Sequence, residues 1–69
     1  MHPADIKAAI EKAGTTQAAI ARDAGVGPVM VWQVIHGRSV SRPVADAIAA
    51  VTGLPLKKLW PGIYEDKAA

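Results

Sequence analysis

The apolar positions of this chain recur at helical spacing in short blocks, and each block is bounded by glycine or proline. Ile6, Ala9, Ile10 and Ala13 fall on one helical face behind Pro3, and Gly14 ends the run. Pro3 suits a first helical turn because its φ is already helical and its missing N–H would have no partner there. Asp5 meets the positive end of the helix dipole. Thr16 is the expected N-cap of a second helix over residues 17–24, with Ile20, Ala21 and Ala24 inward and Gly25 supplying the turn. A third helix runs from Pro28 to near His36, where Gly37 stops it. After a loop over residues 37–41, Pro43 opens a fourth helix with Ser41 or Arg42 at its cap. Its inward stripe is Val44, Ala47, Ile48 and Val51, and Gly53 terminates it. Pro55 starts a short fifth helix carrying Leu56, Leu59 and Trp60, and Pro61 ends it. No segment carries a strand pattern, so the expected fold is all-α, five helices joined by short loops.

The second and third helices, joined through Gly25, carry the apolar skeleton of a helix-turn-helix: Ile20-Ala21 before the turn, Val31 and Val34-Ile35 after it. In that motif the second helix is presented to the DNA major groove. Each helical residue turns by about 100°. With Val31 at the centre of the core face, Val29, Gln33 and His36 point outward, and Met30 and Trp32 lie at the two edges. The expected base contacts are therefore Val29, Met30, Trp32 and Gln33. A carboxamide at Gln33 offers a paired donor and acceptor that match adenine's N7 acceptor and N6 amino donor. Val29 and Met30 can cover thymine methyl groups, and Trp32 can lie along sugar and methyl edges. Met30 and Trp32, at the edges, fit the core equally well.

Phosphate contacts are expected from the flanks. Gln17 opens the second helix, where free N–H groups favour an anion. Arg38, Ser39 and Arg42 follow the third helix, and Pro28 and His36 stand at its two ends. Arg22 is a weaker candidate that can pair instead with Asp23 or Asp46. His2 either caps the first helix or lies in solvent. Trp60 is expected to anchor the fifth helix in the core; exposed, it would mark a dimer contact.

Size and composition narrow the function without choosing it. Sixty-nine residues make one small domain, expected over residues 1–64 with a polar, disordered tail over 65–69. With no cysteine there is neither a disulfide nor a thiolate metal site, so close helix packing must supply the stability. Abundant alanine and the absence of phenylalanine suit closely approaching helices. The formal charge of +2 permits nucleic-acid binding without requiring it. No apolar run approaches a membrane span and no signal pattern opens the chain, which leads us to expect a cytoplasmic protein with no membrane partner. The two histidines, His2 and His36, sit on different elements, and no nucleophilic triad, phosphate-cradling loop or metal-ligand spacing is present. No enzymatic activity, cofactor, metal or small-molecule substrate is expected.

The opening His2-Pro3-Ala4-Asp5-Ile6, the helix-turn-helix from Gln17 to Ile35, the ending from Gly53-Leu54-Pro55 to Leu59-Trp60-Pro61 and the closing Tyr64 resemble the Ner-like regulators of transposable Mu-type bacteriophages, within the lambda-repressor-like helix-turn-helix class. The resemblance implies a five-helix DNA-binding domain that represses phage early or transposition promoters in the bacterial host, or a host protein derived from one. It likens Gln17 to the phosphate-facing start of the second helix, and Pro28 to Gln33 to the exposed half of the recognition helix. The chain departs from the pattern at Val29, Met30, Trp32 and Gln33, where family members usually carry Ser, Thr or Asn.

Two functions follow from these readings. The first is a sequence-specific regulator of double-stranded DNA, with monomer or homodimer on the DNA left open. The second is a protein-interaction or self-association module that uses an exposed Val29, Met30 and Trp32 patch.

Overall fold

The computed structural model describes residues 1–64; the polar tail expected beyond them lies outside the described residues. Five helices follow in order: α1 (Pro3–Lys12), α2 (Gln17–Ala24), α3 (Pro28–Ile35), α4 (Arg42–Thr52) and α5 (Leu56–Leu59). The described residues contain no strand. The chain's proline and glycine punctuation sets most of these boundaries. His2 caps α1, its Nδ1 accepting from the Ala4 N–H at 3.0 Å, and Thr16 caps α2 by accepting from the Ala19 N–H at 3.1 Å. Gly25 takes the left-handed conformation at φ 74°, so the Val26 N–H can reach back to the Ala21 carbonyl at 2.9 Å. That left-handed turn redirects the chain between α2 and α3.

One core gathers all five helices. Ile6 and Ile10 of α1, Ile20 and Ala21 of α2, Val31, Val34 and Ile35 of α3, Val44, Ala45 and Ile48 of α4, and Leu59 of α5 are buried together with Trp60 and Tyr64. Among the described residues no polar or charged side chain outside the aromatics is buried. Apolar burial therefore dominates the interior, and among the described residues no buried ion pair specifies it. The Met1 nitrogen donates to the Lys58 and Leu59 carbonyls at 3.2 and 3.0 Å, which brings the start of the chain against the end of α5.

Four sequence expectations shift. Ala13 is exposed, because α1 has already reached its C-cap there. On α4, Val51 is 37% exposed while Ala45 is fully buried. The inward face is thus turned by about 60° from the stripe read in the sequence. Bulk at Val51 argues for one face. Ala45 is taken into the other because a methyl side chain lets a helix approach its neighbours closely, and Ala21 of α2 is buried in the same core. Arg42 is the first residue of α4 and Ser41 its cap, so the helix starts one residue before Pro43. Last, α5 is a single turn with Pro55 as its N-cap. Trp60 lies just past its end, buried as expected of an anchor and edge-on to Tyr64 at 5.2 Å between ring centroids.

Candidate nucleic-acid interface

α3 is fastened by Val31, Val34 and Ile35, all at most 1% exposed, so its opposite side is fixed in orientation relative to the core. Eight residues make a rod about 12 Å long, the scale of a major-groove contact. Val29 is the most open of the outward residues at 68% exposed, and Trp32 follows at 40%. Met30 does not join them. It is half-buried and packs against the core cluster, because at the edge of the wheel its long side chain can fold under the helix.

The remaining polar positions form two small assemblies. In the first, the Trp32 indole and the His36 imidazole stack at 4.1 Å with an interplanar angle of 26°, and the Arg38 guanidinium lies 5.6 Å from the centroid of the Trp32 ring. A spacing of four residues on a helix brings Trp32 and His36 together, and the left-handed Gly37 turns the chain back so that Arg38 can reach the indole. The His36 Nδ1 also lies 3.0 Å from the Trp32 carbonyl, at the C-cap of α3. In the second assembly, the Arg38 and Ser39 N–H groups both donate to the Gln33 carbonyl, at 2.8 and 3.3 Å, and the Ser39 hydroxyl donates to the Gln33 side-chain Oε1 at 3.2 Å. The loop after α3 is therefore folded onto the end of the helix.

Farther along, the Ser41 N–H donates to the Tyr64 hydroxyl at 2.9 Å, and that hydroxyl donates back to the Ser41 carbonyl at 3.5 Å. This contact fixes the entry to α4 and hence the start of Arg42. Sequence reasoning missed it, since no periodicity links positions 23 residues apart. Arg42 pairs with Asp46 at 3.1 Å, with both side chains exposed. Asp46 thus neutralises Arg42 rather than Arg22, as a four-residue helical spacing favours. Such an exposed pair is weak enough to open for another anion. Pro28 is exposed at the first position of α3. Gln17 is half-buried at the start of α2, and no hydrogen bond or ring contact among the described residues joins it to the loop assemblies.

Charge follows the same division. The stretch from residue 24 to residue 45 contains Arg38 and Arg42 but no aspartate or glutamate, whereas Asp23 and Asp46 stand at its borders. The helix and loop that carry the outward residues therefore present no carboxylate of their own to a phosphate backbone. Among the described residues no cluster of histidine and acidic side chains is placed to hold a metal ion, and no helix is long and apolar enough to cross a membrane.

No curated protein and no solved structure matches the chain. A family model described as winged helix-turn-helix DNA-binding matches residues 1–69, the whole sequence. Within the described residues the match is carried by helices alone. The arrangement of α2, the Gly25 turn and α3 is the structural core such a family requires, and the chain belongs to the winged helix-turn-helix DNA-binding family.

Proposed function

We propose that the protein is a sequence-specific regulator of transcription that binds double-stranded DNA through α3, a Ner-like repressor that occludes early or transposition promoters of a transposable phage in the cytoplasm of its bacterial host. A single domain over residues 1–64 does this, without catalysis. The observation that carries the reading is the Arg38 guanidinium held over Trp32, which joins a cation to the outward face of the helix. Val29, Trp32 and Gln33 face the bases. Arg38 and Arg42 take phosphates of the adjoining strand, with Pro28 and His36 at the ends of α3 and Gln17 at the start of α2. Met30, half-buried against the core, is at most a partial base contact. The interaction-module reading is weakened by the same geometry. Met30 is half-buried, and Trp32 has both an imidazole stacked on it and a guanidinium near its ring, so Val29 is the most open large apolar side chain of α3.

The test is selection of bound sites from a random duplex pool, followed by titration of the enriched site across salt concentrations. A discrete site should emerge, with log K falling linearly against log salt. Arg38→Ala and Arg42→Ala should each weaken all sequences alike and reduce the slope by about 0.9. Failure to enrich any site, with α3 resonances that respond to protein concentration but not to DNA, would transfer the function to self-association.

A further inference from the structure

We infer that Ser39 is a positioning residue for base recognition: its hydroxyl holds the Gln33 carboxamide so that the amide N–H groups face the groove, which makes Gln33 a reader of guanine. The inference rests on the DNA-binding reading of α3. A free glutamine is ambivalent, since it can donate and accept together on adenine or donate alone to acceptor atoms. Here one neighbour biases the choice. Oε1 accepts from the Ser39 hydroxyl at 3.2 Å, and the loop that carries Ser39 is itself held by the Arg38 and Ser39 N–H groups on the Gln33 main-chain carbonyl. The oxygen is drawn toward the loop, and Nε2 with its two hydrogens is left to project away from it. A donor-only group suits the N7 and O6 acceptors that guanine presents in the major groove, and it opposes the N6 amino group of adenine and the N4 amino group of cytosine. Ser39 thereby leaves the set of phosphate contacts, because its one hydroxyl proton is already engaged.

The experiment compares the sites that the full chain and its Ser39→Ala, Ser39→Thr and Gln33→Ala variants select from a random duplex pool, with affinities measured on the winning site and its single-base variants. The unmodified chain should select guanine at one position where Gln33→Ala loses all preference. Ser39→Ala frees the carboxamide to turn, so the guanine-over-adenine ratio at that position should fall by up to about 5- to 150-fold, the range of one bidentate base contact. Preferences elsewhere should hold, and Ser39→Thr, which keeps the hydroxyl, should restore guanine. Three results overturn the inference while leaving DNA binding intact: adenine at the Gln33-dependent position of the unmodified chain, an unchanged preference in Ser39→Ala, or a loss of affinity in Ser39→Ala that is equal for all sequences, as a phosphate contact would give. No enrichment by the unmodified chain would instead remove the DNA reading of α3, and this inference with it.

Discussion

The hydroxyl of Tyr64 reaches Ser41 across 23 residues of sequence, and its removal tests whether the α3–α4 loop is held from outside. In Tyr64→Phe the ring keeps its edge-on contact with Trp60 at 5.2 Å, so packing is preserved and only the hydroxyl is lost. The Ser41 N–H, at 2.9 Å in the native chain, then has no protein partner. The 3.5 Å return bond to the Ser41 carbonyl is too long to matter much. Leaving a buried donor unsatisfied costs about 1–3 kcal/mol. Ser41 is only half-buried, so water can take part of the role, and the lower end, about 1 kcal/mol, applies. For a domain of this size that lowers Tm by about 4–8 °C. Thermal unfolding followed by circular dichroism reads the shift directly. DNA titration well below Tm should then show a further, smaller loss, because Arg42 begins the helix that Ser41 caps. A Tm within about 1 °C of the native value would refute the reasoning, since solvent would then satisfy Ser41 as well as the phenol does.

Three further outcomes are expected. Ile48→Ala, at a fully buried site of α4, should cost about 2–5 kcal/mol. A chain of this length has a total stability of about 3–10 kcal/mol, so a cooperative melt that persists above 50 °C would contradict the central placement of that residue. Asp46→Asn removes the partner of Arg42 and raises the formal charge of +2 by one unit. Stability should fall by no more than about 0.5 kcal/mol while DNA affinity rises at low salt, and weaker binding would show that the pair orients Arg42 instead of occupying it. Trp60→Phe discards a buried indole Nε1 that has no hydrogen-bond partner among the described residues. The gain of about 1–3 kcal/mol from removing that group offsets the lost packing, so denaturant melts should place the variant within about 1 kcal/mol of the native chain; a loss as large as that of Ile48→Ala would point to an unseen partner for the indole.

The fold was legible because its punctuation is local. Pro3, Thr16, Gly25, Pro28 and Gly53 each act on the turn they occupy, and the helices fall where those residues permit. The rotation of α4 was not legible. A helical wheel weighs apolar periodicity along one helix, whereas burial of Ala45 in place of Val51 depends on the neighbours packed against α4. In the candidate site, the wheel identified the core and outward sides of α3, including the openness of Val29 and the orientation of Val31, Val34 and Ile35. It could not decide between burial and exposure for Met30, whose flexible side chain makes either available. Nor could it see the side chains that the loop folds onto the helix, since Ser39 meets Gln33, and Arg38 meets Trp32, only after Gly37 has turned the chain.

That fold-back changes what the apolar character of α3 means. Taken as a list of residues, Val29, Met30 and Trp32 describe a greasy helix poorly suited to a polyanion. In three dimensions, Met30 is half-buried against the core and the Trp32 ring lies under the Arg38 guanidinium. A flat aromatic surface restricts an arginine that would otherwise sample many rotamers, so the proposed phosphate contact of Arg38 would cost less side-chain entropy. The same loop constrains the Gln33 amide through Ser39, while Tyr64 holds the loop's far end at Ser41. The presented surface is thus the helix together with residues 36–41, tied at Trp32, Gln33 and Tyr64. An apolar residue at position 32 is then compatible with DNA binding because of what it organises: the cation comes from the loop, and the tryptophan gives it a place on the outward side of α3, where the proposed reading puts the groove.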